Sequence, residues 1–302
     1  MSAIFFAIIG HLANAIASLI DKLLLETGFK HPATYAVAIG GLSTITLFAW
    51  PFFSFPTLSW QIIAHAILFG AGFFLGLWRF FAGLKKTEAG SFVPLTAAAV
   101  ALFSLSLEVF LAWDFTAFTT HPMLLGGIVL LVSSMLLIAV TNRTSGQTVA
   151  LQPSLESAAF FAISSVNATF LYHETDFVQG FFLSRVAVLI CVALALVLIT
   201  DVRTELFQKK AKEKKPFKLF FVGQAIGAVG FFGVQYALSL PDGSASVVNA
   251  LQAVQFGALA IITGLFGKWL PHALKEHWSG MVAFLKILAL VFAALGLSLI
   301  TK

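Results

Sequence analysis

Charge, cysteine and catalytic motifs are scarce in this chain. Only 10% of its 302 residues are charged and 59% are hydrophobic, so it lacks the polar surface that a soluble globule of this size needs. The single cysteine, Cys191, excludes an intramolecular disulfide and a cysteine-rich metal site. The absence of G-x-x-x-x-G-K-[ST] excludes ATP-driven pumping by this chain, and neither H-x-x-x-H nor H-E-x-x-H occurs. We therefore expect no enzyme, no metal and no cofactor.

Long apolar runs are what the chain has in abundance. In hydrocarbon every backbone N–H and C=O must be paired internally, so runs of about 20 apolar residues predict membrane-spanning helices. The expected fold is an all-α integral membrane protein with ten transmembrane helices. The predicted spans are residues 2–20, 33–53, 60–83, 91–113, 122–140, 151–172, 178–200, 218–239, 244–267 and 280–300.

The basic residues are segregated to one end of these spans. Sixteen of the 18 Lys and Arg residues lie in or beside the loops that follow odd-numbered spans, and only Arg185 and Lys302 fall on the other side. Since cytoplasmic loops are enriched in Lys and Arg, we predict a plasma (inner) membrane location with both termini outside. This distribution also accounts for the net charge of +5, and we expect no nucleic acid as a partner.

Two short matches indicate an internal repeat. Residues 3–8, Ala-Ile-Phe-Phe-Ala-Ile, reappear as Ala-Ala-Phe-Phe-Ala-Ile at 158–163, and Ala-Gly-Ser at 89–91 matches Asp-Gly-Ser at 242–244. Because five spans per half is an odd number, the halves would enter the membrane in opposite orientations, as in inverted-repeat transporters. We predict one five-helix repeat over residues 1–144 and a second over residues 145–302.

Two helix junctions resemble a known family. Residues 80–90, Phe-Phe-Ala-Gly-Leu-Lys-Lys-Thr-Glu-Ala-Gly, and residues 231–243 are similar to the signature of the EamA-type repeat in the drug/metabolite transporter superfamily. The resemblance covers essentially the whole chain. It implies a ten-helix secondary transporter with a central cavity between the two halves.

The chain departs from this family in three respects. Where the family often has a proline in the fourth helix of each repeat, this chain has positions near Val100 and Ala253. The acidic residue that follows those helices corresponds to Asp114 in the first half and to Lys268 in the second. The family is usually drawn with cytoplasmic termini, which is opposite to the orientation that the charges predict.

A polar stripe in the ninth span provides the main candidates for a substrate site. Ser246, Asn249, Gln252 and Gln255 recur every three residues and so share a helix face. The stripe either lines a cavity or forms hydrogen bonds between helices, and the two roles are compatible. Thr96 is the first-half counterpart of Asn249, and its surroundings are apolar, so one wall of the cavity is expected to be more polar than the other.

Two acidic residues are further candidates for the site. Glu108 lies deep in the fourth span and Glu156 lies near the start of the sixth. Either could bind a cationic group or a coupling proton, because a carboxylate in a desolvated cavity exchanges protons near neutral pH. The alternatives are exposure near the outer helix end for Glu108 and a first-turn charge favoured by the helix dipole for Glu156.

Five single side chains complete the predicted substrate-binding set. His11 and Asn14 share a face of the first span, where His11 is either a packing residue or a proton relay. Gln235 and Tyr236 add hydrogen-bonding groups in the eighth span. Trp78 in the third span is either a cavity aromatic or an interfacial anchor.

These patterns favour a secondary transporter for a small polar or amphipathic metabolite, such as an amino acid or an amine. The expected partners are membrane lipid and a small-molecule substrate, with protons or substrate exchange as the coupling options, and the expected state is a monomer or weak dimer. Two alternatives stay open. One is a flippase for a lipid-linked or amphipathic substrate, which needs a cavity open to lipid, and the other is a non-transporting assembly subunit.

Overall fold

A computed structural model of the chain shows a bundle of long helices. It describes residues 2–54, 56–112, 122–144, 150–207, 217–266, 269, 271 and 280–300, and within these there is no strand. The helices are α1 (Ala3–Thr27), α2 (Pro32–Ser43) with a 3-10 continuation (Thr44–Phe52), α3 (Trp60–Leu84), α4 (Ala89–Ala112), α5 (Pro122–Thr144), α6 (Leu151–Glu174), α7 (Phe177–Leu198), α8 (Thr200–Phe207), α9 (Phe217–Ser239), α10 (Ala245–Ala250), α11 (Ala253–Phe266) and α12 (Gly280–Ile300). Asp114 and Lys268 lie outside the described residues.

Nine helical segments in the described part are long and apolar enough to cross a membrane. They are α1, α2 with its continuation, α3, α4, α5, α7, α9, α10 with α11, and α12. The protein is therefore an all-α, multi-pass membrane protein, as the composition predicts. The sixth predicted span, 151–172, forms the 24-residue helix α6, which is long enough to cross but is not among these nine apolar segments.

Several helices begin at residues suited to the first turn. The Ser59 hydroxyl accepts a hydrogen bond from the Ile62 N–H at 3.2 Å, and the Asp176 carboxylate accepts one from the Gln179 N–H at 2.8 Å. Each side chain satisfies an N–H group that has no partner within the helix. Pro32 begins α2, where its missing N–H costs nothing.

Helix α1 is longer than the predicted span 2–20 because its first charges are bonded inside the bundle. Asp21 accepts a hydrogen bond from the Tyr35 hydroxyl at 2.5 Å. Lys22 donates from Nζ to the Leu84 carbonyl oxygen at 3.0 Å. With both charged groups bonded, the helix continues to Thr27 instead of ending where hydropathy falls.

The ninth predicted span, 244–267, is broken into α10 and α11. Between them the Gln252 N–H donates to the Asn249 carbonyl at 3.2 Å, and the Gln255 N–H donates to the Gln252 carbonyl at 2.9 Å. These three-residue hydrogen bonds make a tighter turn than an α-helix. Irregular backbone at membrane depth is tolerated where protein or a cavity surrounds it, so the break marks a place to search for a site.

Helices α1 and α9 pack antiparallel through small residues. A Cβ added at Gly230 would lie 2.9 Å from the Gly10 carbonyl oxygen, and one at Gly223 would lie 2.6 Å from Ile20. The residue numbers rise along α1 as they fall along α9, which fixes the antiparallel direction. The missing side chains let the two backbones approach closely.

Helices α3 and α6 form a second antiparallel pair along their length. The Ser164 hydroxyl donates to the Phe69 carbonyl at 3.0 Å, and the Ser157 hydroxyl donates to the Gly76 carbonyl at 3.0 Å. Helices α5 and α12 make a third pair, in which Gly127 packs against the α12 backbone. Helix α4 is the most buried of the nine apolar segments and contacts α5, α6, α10 and α11.

Candidate functional site

A cavity of about 390 Å³ lies inside the bundle. Its walls come from α1, α2, α3, α4, α6, α7, α9 and the broken pair α10 and α11, so both predicted repeats contribute. This volume suits a small molecule. Six of the ten predicted substrate-binding residues line it, namely His11, Asn14, Gln235, Asn249, Gln252 and Gln255.

Arg185 also lines the cavity, and the sequence predictions missed it as a site residue. It lies on α7, and only 1% of it is exposed. The guanidinium donates from Nε and Nη2 to the Ser184 hydroxyl at 3.2 and 3.1 Å. Its carbon lies 4.8 to 5.7 Å from the ring centroids of Phe69, Phe73, Phe181 and Phe231. These rings stabilise the cation through their π faces.

The position of Arg185 explains why the count of basic residues by loop did not identify it as a cavity residue. Counting basic residues by loop treats Arg185 as flanking the outer side of the seventh span. In the structure it lies about two turns beyond Phe177, the first residue of α7, and its side chain is inside the bundle. The available signal is an arginine inside an apolar run, preceded by Phe181 and Phe182.

The predicted residues of α1 and α10 meet at one wall of the cavity. His11 Nε2 lies 2.8 Å from the Val248 carbonyl oxygen, so Nε2 donates there, and Nδ1 has no hydrogen-bond partner among the described residues. Asn249 donates from Nδ2 to the hydroxyls of Ser104 and Ser165, each at 2.8 Å. Asn249 therefore connects α10 to α4 and α6.

The polar stripe of the ninth span both lines the cavity and bonds to neighbouring helices. Gln255 donates from Nε2 to the Ser18 hydroxyl of α1 at 3.3 Å, in addition to the bonds of Asn249. The Oε1 of Gln252 is buried and has no hydrogen-bond partner in the part of the chain that the structure describes. On the opposite wall, Thr96 is 3.1 Å from the Ser154 hydroxyl. The two roles considered for the stripe are thus present together.

A carboxylate that the sequence predictions did not include bounds the cavity near the end of α1. Asp21 accepts hydrogen bonds from the Tyr35 hydroxyl at 2.5 Å and from Gln224 Nε2 at 3.5 Å. Gln224 also donates to the Tyr35 hydroxyl at 3.3 Å. This cluster joins α1, α2 and α9, and Asp21 was overlooked because it falls just beyond the predicted first span.

The two predicted acidic residues lie away from the cavity lining and are held by other groups. Glu108 accepts hydrogen bonds from the backbone N–H groups of Ala245 at 2.8 Å and Ser246 at 3.2 Å, at the first turn of α10. It therefore acts as a capping carboxylate for that helix. Glu156 forms an ion pair with Arg79 of α3.

Two predicted aromatic residues are also absent from the cavity lining. The Tyr236 ring packs with its centroid 4.7 Å from that of Phe6 and 5.3 Å from that of Phe177. Trp78 packs against the hydrophobic core formed mainly by α1, α2 and α3. The structure thus places both in packing positions.

Lysines bond the helix ends together at the opposite end from the chain's first residues. Lys85 donates from Nζ to the carbonyl oxygens of Phe29 at 2.9 Å and Lys30 at 2.5 Å. Burial lowers the pKa of Lys85, an effect opposed by nearby carboxylates such as Glu205. Lys286 pairs with Glu88 at 2.6 Å. Lys85 and Lys286 thus bond to other helix ends of the protein.

Comparison with known proteins indicates a shared fold. No family model and no curated protein sequence matches the chain. Fifteen chains of solved structures match it. One of these, titled "Crystal structure of protein", is 16% identical, with a TM-score of 0.53, and the match covers 97% of this chain and 94% of that chain. The likeness shows that the helical architecture has a counterpart among solved structures over almost its whole length.

Proposed function

We propose that the protein is a secondary transporter with ten membrane crossings that moves a small polar or amphipathic metabolite by alternating access. The cavity is the observation that supports this most directly. It lies inside an apolar bundle, is lined by helices from both predicted repeats, and presents polar side chains from α1, α7, α9 and α10. Polar groups at this depth are costly and mark substrate pathways in membrane proteins.

Helix α6 supplies the tenth crossing in this proposal. Its hydrogen bonds to α3 run from Ser157 with Gly76 to Asn167 with His65, where the two side chains are 2.8 Å apart. These bonds cover ten residues, about 15 Å, and the whole helix of 24 residues, about 36 Å long, is long enough to cross beside its neighbour. Its polar residues are compatible with that position because most of them face protein rather than lipid.

The pairing of helices supports an inverted repeat. If α1 to α5 correspond in order to α6, α7, α9, α10 with α11, and α12, then α1 with α9 and α6 with α3 are equivalent pairs. In the same correspondence α5 is the counterpart of α12, and α4 is the counterpart of α10 with α11. The helices of each of these two pairs pack against each other. A two-fold relation between halves produces this pattern. It is the arrangement implied by the resemblance to EamA-type transporters, to which we assign the chain as part of the proposal.

Alternating access requires contacts that can open in turn at the two ends of the cavity. Near one end, Asp21 is bonded to Tyr35 and Gln224, which joins three helices. Near the other end, the Tyr172 hydroxyl of α6 donates to Gln235 Oε1 of α9 at 3.2 Å. We assign these two clusters as the gates whose opening alternates.

Flux into proteoliposomes tests the proposed transport. The purified chain is reconstituted, offered a mixture of amino acids, amines, nucleosides and organic phosphates, and the vesicle contents are analysed by mass spectrometry. Uptake of one class is expected with the wild type and with Ser106→Ala, whose hydroxyl is exposed on α4 and bonds only to Leu102 among the described residues. Gln252→Ala is expected to lose that uptake. Absence of flux for every compound would favour a non-transporting assembly subunit.

A flippase for an amphipathic substrate is a second candidate because part of the cavity lining on α9 is exposed. Phe232 lines the cavity and is 51% exposed, and its ring centroid lies 6.1 Å from that of Phe181 on α7. An exposed apolar side chain at the cavity wall suits a cavity that opens toward lipid. Movement of a fluorescent phospholipid between leaflets of the same vesicles would favour this function over metabolite uptake.

A further inference from the structure

We propose that the cavity takes an organic anion and that Arg185 binds its carboxylate or phosphoryl group. This inference names the substrate class of the transport function proposed above and rests on that function. It reverses the charge preference that the sequence suggests, in which Glu108 and Glu156 would attract a cation. Both of those carboxylates are held elsewhere, at the start of α10 and by Arg79.

Buried lysines and arginines of this protein differ in whether an acidic side chain balances their charge. Three of them are nine-tenths or more buried among the described residues, and two have acidic partners. Lys22 pairs with Glu26 at 2.7 Å, and Lys286 pairs with Glu88 at 2.6 Å. Arg185 has no carboxylate within ion-pairing distance in the described part of the chain. A buried charge without a counterion is costly, so a site that keeps one is suited to a ligand of opposite charge.

The guanidinium of Arg185 has one edge that is free to bind a ligand. Ser184 accepts from Nε and Nη2, and Nη1 has no partner among the described residues. The guanidinium fork can therefore still donate from Nη1 and from the second N–H of Nη2. These two N–H groups lie on one edge and match the two oxygens of a carboxylate or phosphoryl group.

The carboxylate that lines the cavity, Asp21, is already bonded within the protein. Asp21 accepts hydrogen bonds from Tyr35 and Gln224, whereas Arg185 donates only to the neighbouring hydroxyl within the described chain. The bonded carboxylate and the free guanidinium edge together favour binding of a negative group.

The remaining lining predicts the rest of the ligand. The four phenylalanine rings around the guanidinium form an apolar surface for the body of the molecule. His11 Nδ1 and Gln252 Oε1 are acceptor atoms with no partner within the described ranges, and both residues line the cavity. A hydroxyl or amine on the ligand could donate to them, so an anion with an apolar body and one donor fits best.

Binding to four ligands that share one aromatic body tests this assignment. Phenylacetate, benzylphosphonate, phenylacetamide and phenethylamine are titrated into the full chain in lipid nanodiscs by calorimetry. The two anions are expected to bind about tenfold or more tightly than the neutral amide, the difference that a charge-assisted hydrogen bond provides, and the amine is expected to bind no better than the amide. The carboxylate and the phosphonate show which oxyanion the fork prefers.

Two substitutions at the same position and one control link the preference to the guanidinium. Arg185→Gln is expected to reduce the affinity for the preferred anion to that of the amide, and Arg185→Lys to retain part of the preference because it keeps the charge but loses the fork. Arg79→Gln, which removes an arginine of the neighbouring helix α3 that pairs with Glu156, is expected to leave the anion preference intact.

The titrations of the wild-type chain test the anion preference even if a variant fails to fold. Equal binding of anion and amide, stronger binding of the amine, absence of anion binding, or an anion preference unchanged in folded Arg185→Gln overturns the proposal. Anion-selective binding without any flux in proteoliposomes rejects transport and leaves the anion site in place. Flux of cations without anion preference rejects only the anion site.

Discussion

Glu108 and Asp21 are carboxylates in apolar helices, and their surroundings give them different roles. Glu108 accepts backbone hydrogen bonds at the first turn of α10, where the helix dipole favours negative charge. Asp21 accepts from the side chains of Tyr35 and Gln224 at the cavity wall. In the sequence Glu108 lies within an apolar run, whereas Asp21 directly follows one. Their roles could not be predicted because the groups that bond them are distant along the chain, 137 residues away for Glu108.

The close contact of α1 and α9 depends on the missing side chain of Gly230. Adding one methyl group there is therefore expected to destabilise the protein. A Cβ there would lie 2.2 Å from Asn14 Oδ1 and 2.9 Å from the Gly10 carbonyl oxygen. Because the backbone must move to admit it, Gly230→Ala is expected to reduce the free energy of unfolding by about 1–3 kcal/mol. Thermal unfolding of the purified chain in detergent, followed by tryptophan fluorescence, measures the loss.

Gly227 on the same helix is the matched control for that substitution. A Cβ at this position would lie 3.6 Å from the Ala17 Cβ, an ordinary contact distance. Gly227→Ala is therefore expected to leave the unfolding temperature unchanged or to raise it slightly, because alanine favours the helix. Equal destabilisation by the two substitutions would contradict the close crossing at Gly230.

At the scale of helices, hydropathy predicts a helix boundary well where the apolar run itself ends there. It fails where contacts within the protein interrupt or extend the helix. The predicted spans 178–200 and 280–300 correspond closely to Phe177–Leu198 and Gly280–Ile300. The break between α10 and α11 was not predicted, because Leu251 and Gln252 include neither glycine nor proline. Burial of that turn against α4 and the cavity, rather than local propensity, accommodates its irregular hydrogen bonds.

The packing of α1 on α9 can be tested by a disulfide. The Ala17 Cβ and the position of a Cβ at Gly227 are 3.6 Å apart, within the range that disulfides need. With Cys191 replaced by alanine, Ala17→Cys combined with Gly227→Cys is expected to cross-link on mild oxidation. Ala17→Cys combined with Gly257→Cys, at a glycine with no atom within 4 Å of its added Cβ, is not expected to cross-link.

The readout for this pair is electrophoretic. A protease site introduced into the lysine-rich segment 209–215 lies between the two cysteines in the chain, so cleaved protein stays in one piece only when the disulfide has formed. Separation of the fragments of the Ala17 and Gly227 pair after oxidation would contradict the contact between α1 and α9.

At the scale of the whole molecule, composition and run length predict the helical, membrane-spanning character better than the mutual arrangement of the helices. Nine segments in the described part are long and apolar enough to cross a membrane, and three residues of the polar stripe, Asn249, Gln252 and Gln255, line the cavity. Other parts of the wall come from α2, α3, α4, α6, α7, α9 and the rest of α1, where the sequence predictions did not include Arg185 and Asp21 as site residues. Charge counting sorts residues by loop, whereas the direction of a buried side chain depends on packing between distant helices.

The orientation of the molecule in the membrane is a prediction. The charge distribution and the family resemblance predict opposite orientations, so an experiment can distinguish them. The charges place the lysine-rich segment 209–215 inside, and the family's usual orientation places it outside. In a chain with Cys191 replaced by alanine, Lys212→Cys is expected to resist an impermeant maleimide in intact cells and to react after permeabilisation. Thr57→Cys, in the exposed loop before α3, is expected to react in intact cells. The reverse pattern would overturn the orientation from charges and support cytoplasmic termini, because the proposed ten crossings put the two loops on opposite sides in either orientation. Equal reactivity of both cysteines in intact cells would contradict the proposed crossing by α6.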